Sequence, residues 1–148
     1  MKKVLSIIII ILIIAGLGVV WQMTKKETPI EDRGNELEKA NLIRIDSPRP
    51  NQVIRSPLTI TGQARGNWFF EASFPVVLTN WDGLIIAQGI ATAQGEWMTT
   101  EFVPFEAVLT FSVDKNTYSN RGSLILQKDN PSGLPEHDDA LEIPVLLE

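Results

Sequence analysis

Leu58-Thr59-Ile60-Thr61-Gly62-Gln63-Ala64 sets Leu58, Ile60 and Gly62 against Thr59, Thr61 and Gln63. A period of two is that of a β-strand with one face buried. The same texture continues on both sides. Gly66-Asn67 turns the chain, and Phe70, Ala72 and Phe74 then alternate with Glu71 and Ser73. Val76 to Leu78 carries that strand past Pro75, which implies a bulge or an edge. Asp82-Gly83 is a hairpin signal, and Leu84 to Ala91 returns from it. After the turn at Gln94-Gly95-Glu96, strands are expected over Trp97 to Val103 and Ala107 to Val113, parted by Pro104. Ser123 to Gln127 and Leu141 to Leu147 follow, with a Pro- and Gly-containing loop between them. On the N-terminal side, Leu42 to Ile45 is a first strand, ended by Ser47-Pro48-Arg49-Pro50-Asn51.

Short strands at regular intervals, with no amphipathic helix after residue 41, indicate an all-β domain. The expected architecture over 42–148 is an immunoglobulin-like β-sandwich of about seven strands. It must form without a disulfide, because the 148 residues include no Cys. The same absence removes thiolate catalysis, thiolate zinc sites and a lipid-bearing cysteine.

Ahead of the domain the composition changes. Met1-Lys2-Lys3 is basic, and Val4 to Trp21 is free of charge and rich in Ile, Val and Leu. Such a run is just long enough to span a hydrocarbon core of about 30 Å. Two readings compete, an uncleaved signal anchor and a cleaved signal peptide. Large residues from Val19 to Met23 stand where cleavage needs small ones, so the anchor over residues 1–23 is preferred. Thr24 to Asn41 is polar and charged and reads as a tether. A polar β domain with no further apolar span places the C-terminus outside the cytoplasm, at the cell membrane. The partners expected are the membrane and another extracytoplasmic protein or a cell-wall component. With 13 Lys and Arg against 18 Asp and Glu, a net charge of −5 disfavours nucleic acid.

The chemistry-bearing residues are few. His137 is the single histidine, so no site can use two imidazoles. It sits in the acidic loop Asp129 to Asp139, where hard oxygen donors invite a Ca²⁺ reading, but the spacing is not that of an EF-hand. Neither a metal nor a cofactor is expected, and the chain is not read as an enzyme. Glu71 is the candidate binding acid; as a strand residue it would point away from Phe70, Ala72 and Phe74. Its alternative role is a cross-sheet carboxylate held by backbone or by Arg65, whose loss in Glu71→Ala would cost about 1–3 kcal/mol. Trp68 and Trp81 lie in or beside turns, where exposed rings can stack on sugars or anchor a protein. Their alternative is structural, with Trp97 filling the core and Trp68 capping it.

Several segments together carry a family resemblance. They are Ile45 to Val53, Ser56 to Ala64, Phe70-Glu71-Ala72, Asp82-Gly83 with the following Gly89, and Glu142-Ile143-Pro144-Val145. In order and spacing, about residues 43–146 resemble the immunoglobulin-like domain family of bacterial spore germination. The resemblance implies a non-catalytic module, often attached to envelope or germination proteins, in which an acid at the Glu71 position recurs. The expected function is therefore a membrane-tethered protein-interaction or envelope-assembly module, with carbohydrate or cell-wall binding through the turn aromatics as the alternative.

Overall fold

The computed structural model describes residues 31–148, and Asp32–Glu148 forms one compact unit. The apolar run Val4 to Trp21 lies outside the described residues, as do residues 24–30 of the proposed tether. Among the described residues no helix is long and apolar enough to cross a membrane.

The described residues form eight strands: β1 Ile43–Ser47, β2 Val53–Ile54, β3 Leu58–Arg65, β4 Ser73–Asn80, β5 Ile85–Ala93, β6 Phe102–Leu109, β7 Arg121–Gln127 and β8 Ala140–Leu147. They hydrogen-bond in the order β1-β3-β6-β5-β4-β7-β8-β2. All neighbours are antiparallel except β2 and β8, which run parallel. The order folds over at one place. β5 pairs along its length with β4 but touches β6 only at Thr92↔Glu106 and Ala93↔Phe105. Beyond that hinge β1-β3-β6 lies over β5-β4-β7-β8-β2. Phe74 of β4 meets Phe105 of β6 edge-on at 4.9 Å, although the two strands are not neighbours in the order. The architecture is thus sandwich-like.

Period-two patterning supplies the core. Leu58, Ile60 and Ala64 of β3, Val103, Phe105, Ala107 and Leu109 of β6, and Leu141, Ile143, Val145 and Leu147 of β8 are buried, and their neighbours face out. On the outer side of β1-β3-β6, the guanidinium groups of Arg44 and Arg65 each lie 4.1 Å from the Phe102 ring centre.

The structure corrects the sequence reading at three places. First, the strands expected on either side of Pro104 are one strand, β6. The Pro104 carbonyl accepts from the Gln94 N–H at 2.7 Å, so its donorless nitrogen faces the end of β5 and leaves the β3 ladder whole. Second, Pro75 marks neither a bulge nor a sheet edge. It lies in the interior strand β4, one residue past the last pairing with β7. Third, the folded unit begins before Leu42. The last part of the polar stretch, from Asp32 onward, is docked on the domain and includes a one-turn helix, α1 Glu36–Lys39.

That docking is polar, which is why a search for apolar periodicity misses it. Asn35 donates its N–H to the Glu142 carbonyl at 3.1 Å and its Nδ2 to the Ala140 carbonyl at 2.9 Å. Its Oδ1 accepts the Glu142 N–H at 2.8 Å. The buried Glu36 carboxylate takes the Arg49 guanidinium, which also reaches the Ile45 carbonyl. Lys39 pairs with Asp139 at 2.5 Å. Each such bond is worth about 0.5–1.5 kcal/mol net, less where solvent screens it. A chain starting at Leu42 is therefore expected to be about 1–3 kcal/mol less stable than one starting at Asp32. Urea-unfolding midpoints of the two chains measure the difference.

Candidate functional site

The sequence singles out Glu71, Trp68 and Trp81, and the structure does not bring them together. Glu71 and Trp81 stand at opposite ends of β4, whose eight residues span roughly 25 Å. Each has a different environment.

Glu71 is not a strand residue. It and Ala72 have positive φ, 48° and 62°, and form a two-residue turn. Phe70 and Ser73 close it with N–H···O bonds of 3.0 and 3.1 Å in both directions. Positive φ at both central positions defines the hairpin turn that Gly and Asn usually supply. The Glu71 side chain is exposed and among the described residues takes part in no hydrogen bond or ion pair, so the expected cross-sheet carboxylate held by Arg65 is replaced by an exposed turn residue. Glu71→Ala is therefore expected to change stability by no more than about 0.5 kcal/mol. Glu71→Gly should stabilise, by up to about 1 kcal/mol, because glycine adopts this conformation without strain. Thermal melts of the two variants check both.

Trp68 ends a single 3₁₀ turn, Gly66–Trp68, and is fully buried at 0 % exposure. It cannot stack on a ligand. The roles assigned to Trp68 and Trp97 are exchanged: Trp68 is the core residue, and Trp97 packs half-buried against that core. The Trp68 indole Nε1 has no acceptor among the described residues, and the Trp68 carbonyl accepts the Asp129 N–H at 3.1 Å.

Of the two candidate tryptophans it is Trp81 that stands on the surface, 46 % exposed. Its position follows from the hairpin read in the sequence. Gly83 adopts φ +84°, Gly83 N–H donates to Asn80 O at 3.1 Å, and Leu84 N–H donates to Asn80 Oδ1 at 2.8 Å. The loop is therefore fixed from within, and it presents the indole at its tip. There Trp81 meets Tyr118, the only tyrosine of the chain, with ring centres 5.4 Å apart and planes at 51°.

Tyr118 was not anticipated as a site residue. It is 89 % exposed on the segment 110–120, part of which the sequence assigns to a strand. That segment is held as a loop. Asp114 Oδ1 accepts the Asn116 N–H at 2.8 Å, Ser56 Oγ accepts the Phe111 N–H at 3.0 Å, and Asn120 O accepts the Leu147 N–H at 2.7 Å. The available signal was a large aromatic isolated in the polar run Asp114 to Asn120.

Two adjoining clefts open on either side of this loop. One, of about 470 Å³, lies between Ser56, Phe111 and Glu148. The other, of about 320 Å³, lies beneath Trp81, Leu84 and Ile86. They share Val113, Tyr118 and Leu147 as walls. Phe111 and Leu147 provide a buried apolar floor, and Asp82, Asp114 and Glu148 make an acidic rim. At that rim the exposed Arg55 guanidinium donates a hydrogen bond to the Glu148 carboxylate, which raises the Arg55 pKa above its ordinary value.

The acidic loop 129–139 is tied by its own bonds. Asn130 Nδ2 donates to Asp138 Oδ1 at 2.7 Å and to Leu134 O at 2.8 Å. His137 ends an exposed 3₁₀ turn, Pro135–His137. Among the described residues no three His, Cys, Asp or Glu side chains converge as metal ligands.

The hairpin, the crossing of β1 and β2 between layers, and the eight-stranded order can be set beside known proteins. A family model described as the immunoglobulin-like domain of bacterial spore germination matches residues 42–133, from β1 through β7. No curated protein and no solved structure matches the chain significantly. The closing strand β8 lies past the matched residues, yet it completes the sheet between β7 and β2. With more than half of its length matched by that model, the chain belongs to the immunoglobulin-like domain family of bacterial spore germination.

Proposed function

We propose that this protein is a membrane-tethered, extracytoplasmic and non-catalytic module that holds another envelope protein at the pole bearing Trp81 and Tyr118. One observation carries the reading: an exposed aromatic pair stands over two adjoining clefts that share Val113 and Leu147 as apolar lining, the first of them floored also by Phe111. Such a floor suits the buried apolar anchor of a protein partner, and Trp and Tyr rings at its margin are the side chains that dominate protein interfaces. The tether rests on the charge-free run Val4 to Trp21.

A carbohydrate or cell-wall ligand is the second reading. It is favoured by the exposure of Tyr118 and by the carboxylates Asp82 and Asp114 beside the rings, which could accept sugar hydroxyls. The test retains solubilised envelope proteins, and separately purified peptidoglycan, on the immobilised chain and on its Trp81→Ala/Tyr118→Ala double variant. A protein retained by the chain and lost with the double variant, at unchanged melting temperature, supports the proposal. Retention of peptidoglycan alone moves the assignment to the second reading, and equal capture by both chains removes the cleft from the interaction. The full chain should also stay with membranes through a high-salt wash. A mature N-terminus near residue 19 would overturn the uncleaved tether.

A further inference from the structure

Each exposed ring of the Trp81–Tyr118 pair has a carboxylate near it in the chain. Asp82 follows Trp81 directly, and Asp114 precedes Tyr118 by four residues. The fold brings both rings and both acids onto one cleft, that of about 320 Å³ beneath Trp81. Its walls divide by chemistry. Leu84, Ile86 and Val113 are apolar, the two rings are tilted against each other at 51°, and Asp82 and Asp114 carry the charge. Among the described residues no Lys, Arg or His lines it.

Both carboxylates are held in place without being neutralised. Asp82 Oδ1 accepts the Leu84 N–H at 3.4 Å, and Asp114 Oδ1 accepts the Asn116 N–H at 2.8 Å. Each bond engages one oxygen within its own loop. Among the described residues neither carboxylate takes part in an ion pair. The cations close to this pole are committed elsewhere. Lys115 lines the first cleft and not this one, and Arg55 donates to Glu148. Two like charges beside apolar walls focus a negative potential into the cleft, and the net charge of −5 adds to it.

We infer that this cleft receives an arginine side chain of the protein partner, while the first cleft takes the partner's apolar anchor; this rests on the protein-partner reading of the pole. Charge complementarity selects the cation, since two unpaired carboxylates line the cleft and no basic residue does. The rings favour it as well. A cation within about 6 Å of an aromatic ring centre is attracted by the ring quadrupole, most strongly by that of Trp. Arginine fits the remaining walls. Its aliphatic stem can lie along Leu84 and Ile86 while its head stays at the wet rim. Its planar guanidinium stacks on aromatic faces, forks onto carboxylates and is more weakly hydrated than an ammonium. A neutral sugar would use the same rings and oxygens, but it does not require their charge, and that difference can be measured.

The test titrates the full chain in mild detergent with acetyl-Leu-Arg-Leu-amide and with the same peptide carrying citrulline, a neutral isostere, in place of arginine. The readout is the NMR shift of the Trp81 indole N–H, assigned by its loss in Trp81→Phe. The arginine peptide should half-saturate the shift at a concentration at least ten-fold lower than the citrulline peptide. Asp82→Asn/Asp114→Asn keeps both Oδ1 acceptors, so its melting temperature should be unchanged, and it should abolish the ten-fold preference. Equal binding of the two peptides, no shift with either, or a preference that survives the double variant overturns the inference. So does a shift produced by neutral chitotetraose and not by the arginine peptide. Capture of envelope proteins separates this inference from the reading beneath it. A protein lost with Trp81→Ala/Tyr118→Ala but retained undiminished by Asp82→Asn/Asp114→Asn overturns the arginine alone. The expected peptide preference with no envelope protein retained overturns the partner reading and leaves the guanidinium site standing.

Discussion

Trp68→Ala is expected to cost about 3–5 kcal/mol, the range for deleting a large buried aromatic side chain. For a domain of this size that lowers the melting temperature by roughly 12–20 °C. The reasons are local. Trp68 is fully buried, belongs to the same core as Phe69, Phe74 and Phe105, and its carbonyl anchors Asp129 at the end of β7. Truncation leaves a cavity that a β core of fixed strand spacing cannot close. Trp68→Phe should lose less than half as much. It keeps an aromatic ring and removes an indole N–H that has no acceptor among the described residues. Trp81→Ala should leave stability within about 0.5 kcal/mol, because its ring is half in solvent. Calorimetric melts of the three variants separate the two tryptophans. A small loss for Trp68→Ala would mean that the indole is not packed as described.

Gly66→Ala is expected to be comparably damaging, about 3 kcal/mol or more, at the upper end of what overpacking costs. A β-carbon there would stand 1.9 Å from the Thr99 carbonyl oxygen and 2.3 Å from that of Trp97. Both are backbone atoms, held by the bond from Thr99 N–H to Trp97 O, so neither can swing aside as a side chain could. The segment 97–100 would have to lift off the 3₁₀ turn that delivers Trp68. Gly95→Ala provides the control. Nothing lies within 4 Å of its would-be β-carbon and its φ is not positive, so the smaller unfolded-state entropy should make it neutral or slightly stabilising. Similar losses from Gly66→Ala and Gly95→Ala would contradict this account.

The legible part of the fold was the part written in alternating apolar residues. β3, β7 and β8 lie where their period-two patterns place them, within a residue or two, because burial on one face leaves a direct imprint on the chain. The Asp82-Gly83 hairpin was legible for the same reason, since only a residue at ease with positive φ closes that loop. Polar and geometric contacts leave no such imprint. Asn35 caps β8 from over a hundred residues away by hydrogen bonds alone. β2 is two residues long, too short for a period to show. Pro104 looked like a break because the ladder its nitrogen faces is not visible in one strand's sequence. At the candidate site the misplacements share one cause. Phe70 to Phe74 alternates like a strand, but the positive φ of Glu71 and Ala72 makes it a turn, and a one-strand pattern cannot show that. Trp68 was weighed as a surface residue because Gly66-Asn67 reads as a turn, whereas Gly66 is needed for close approach and carries the indole inward.

The polar docking of the segment ahead of β1 also fixes how the domain bears mechanical load. Tension arriving along the chain from before Asp32 does not fall on the core. It meets the Asn51–Asp32 bond first, then the three bonds of Asn35, then the Glu36–Arg49 and Lys39–Asp139 ion pairs. Contacts loaded one after another yield one at a time, at a lower force than strands sheared in parallel. Once they have released, the Ala140 and Glu142 backbone groups are bare, and the domain under strain offers a sheet edge that the relaxed domain keeps closed.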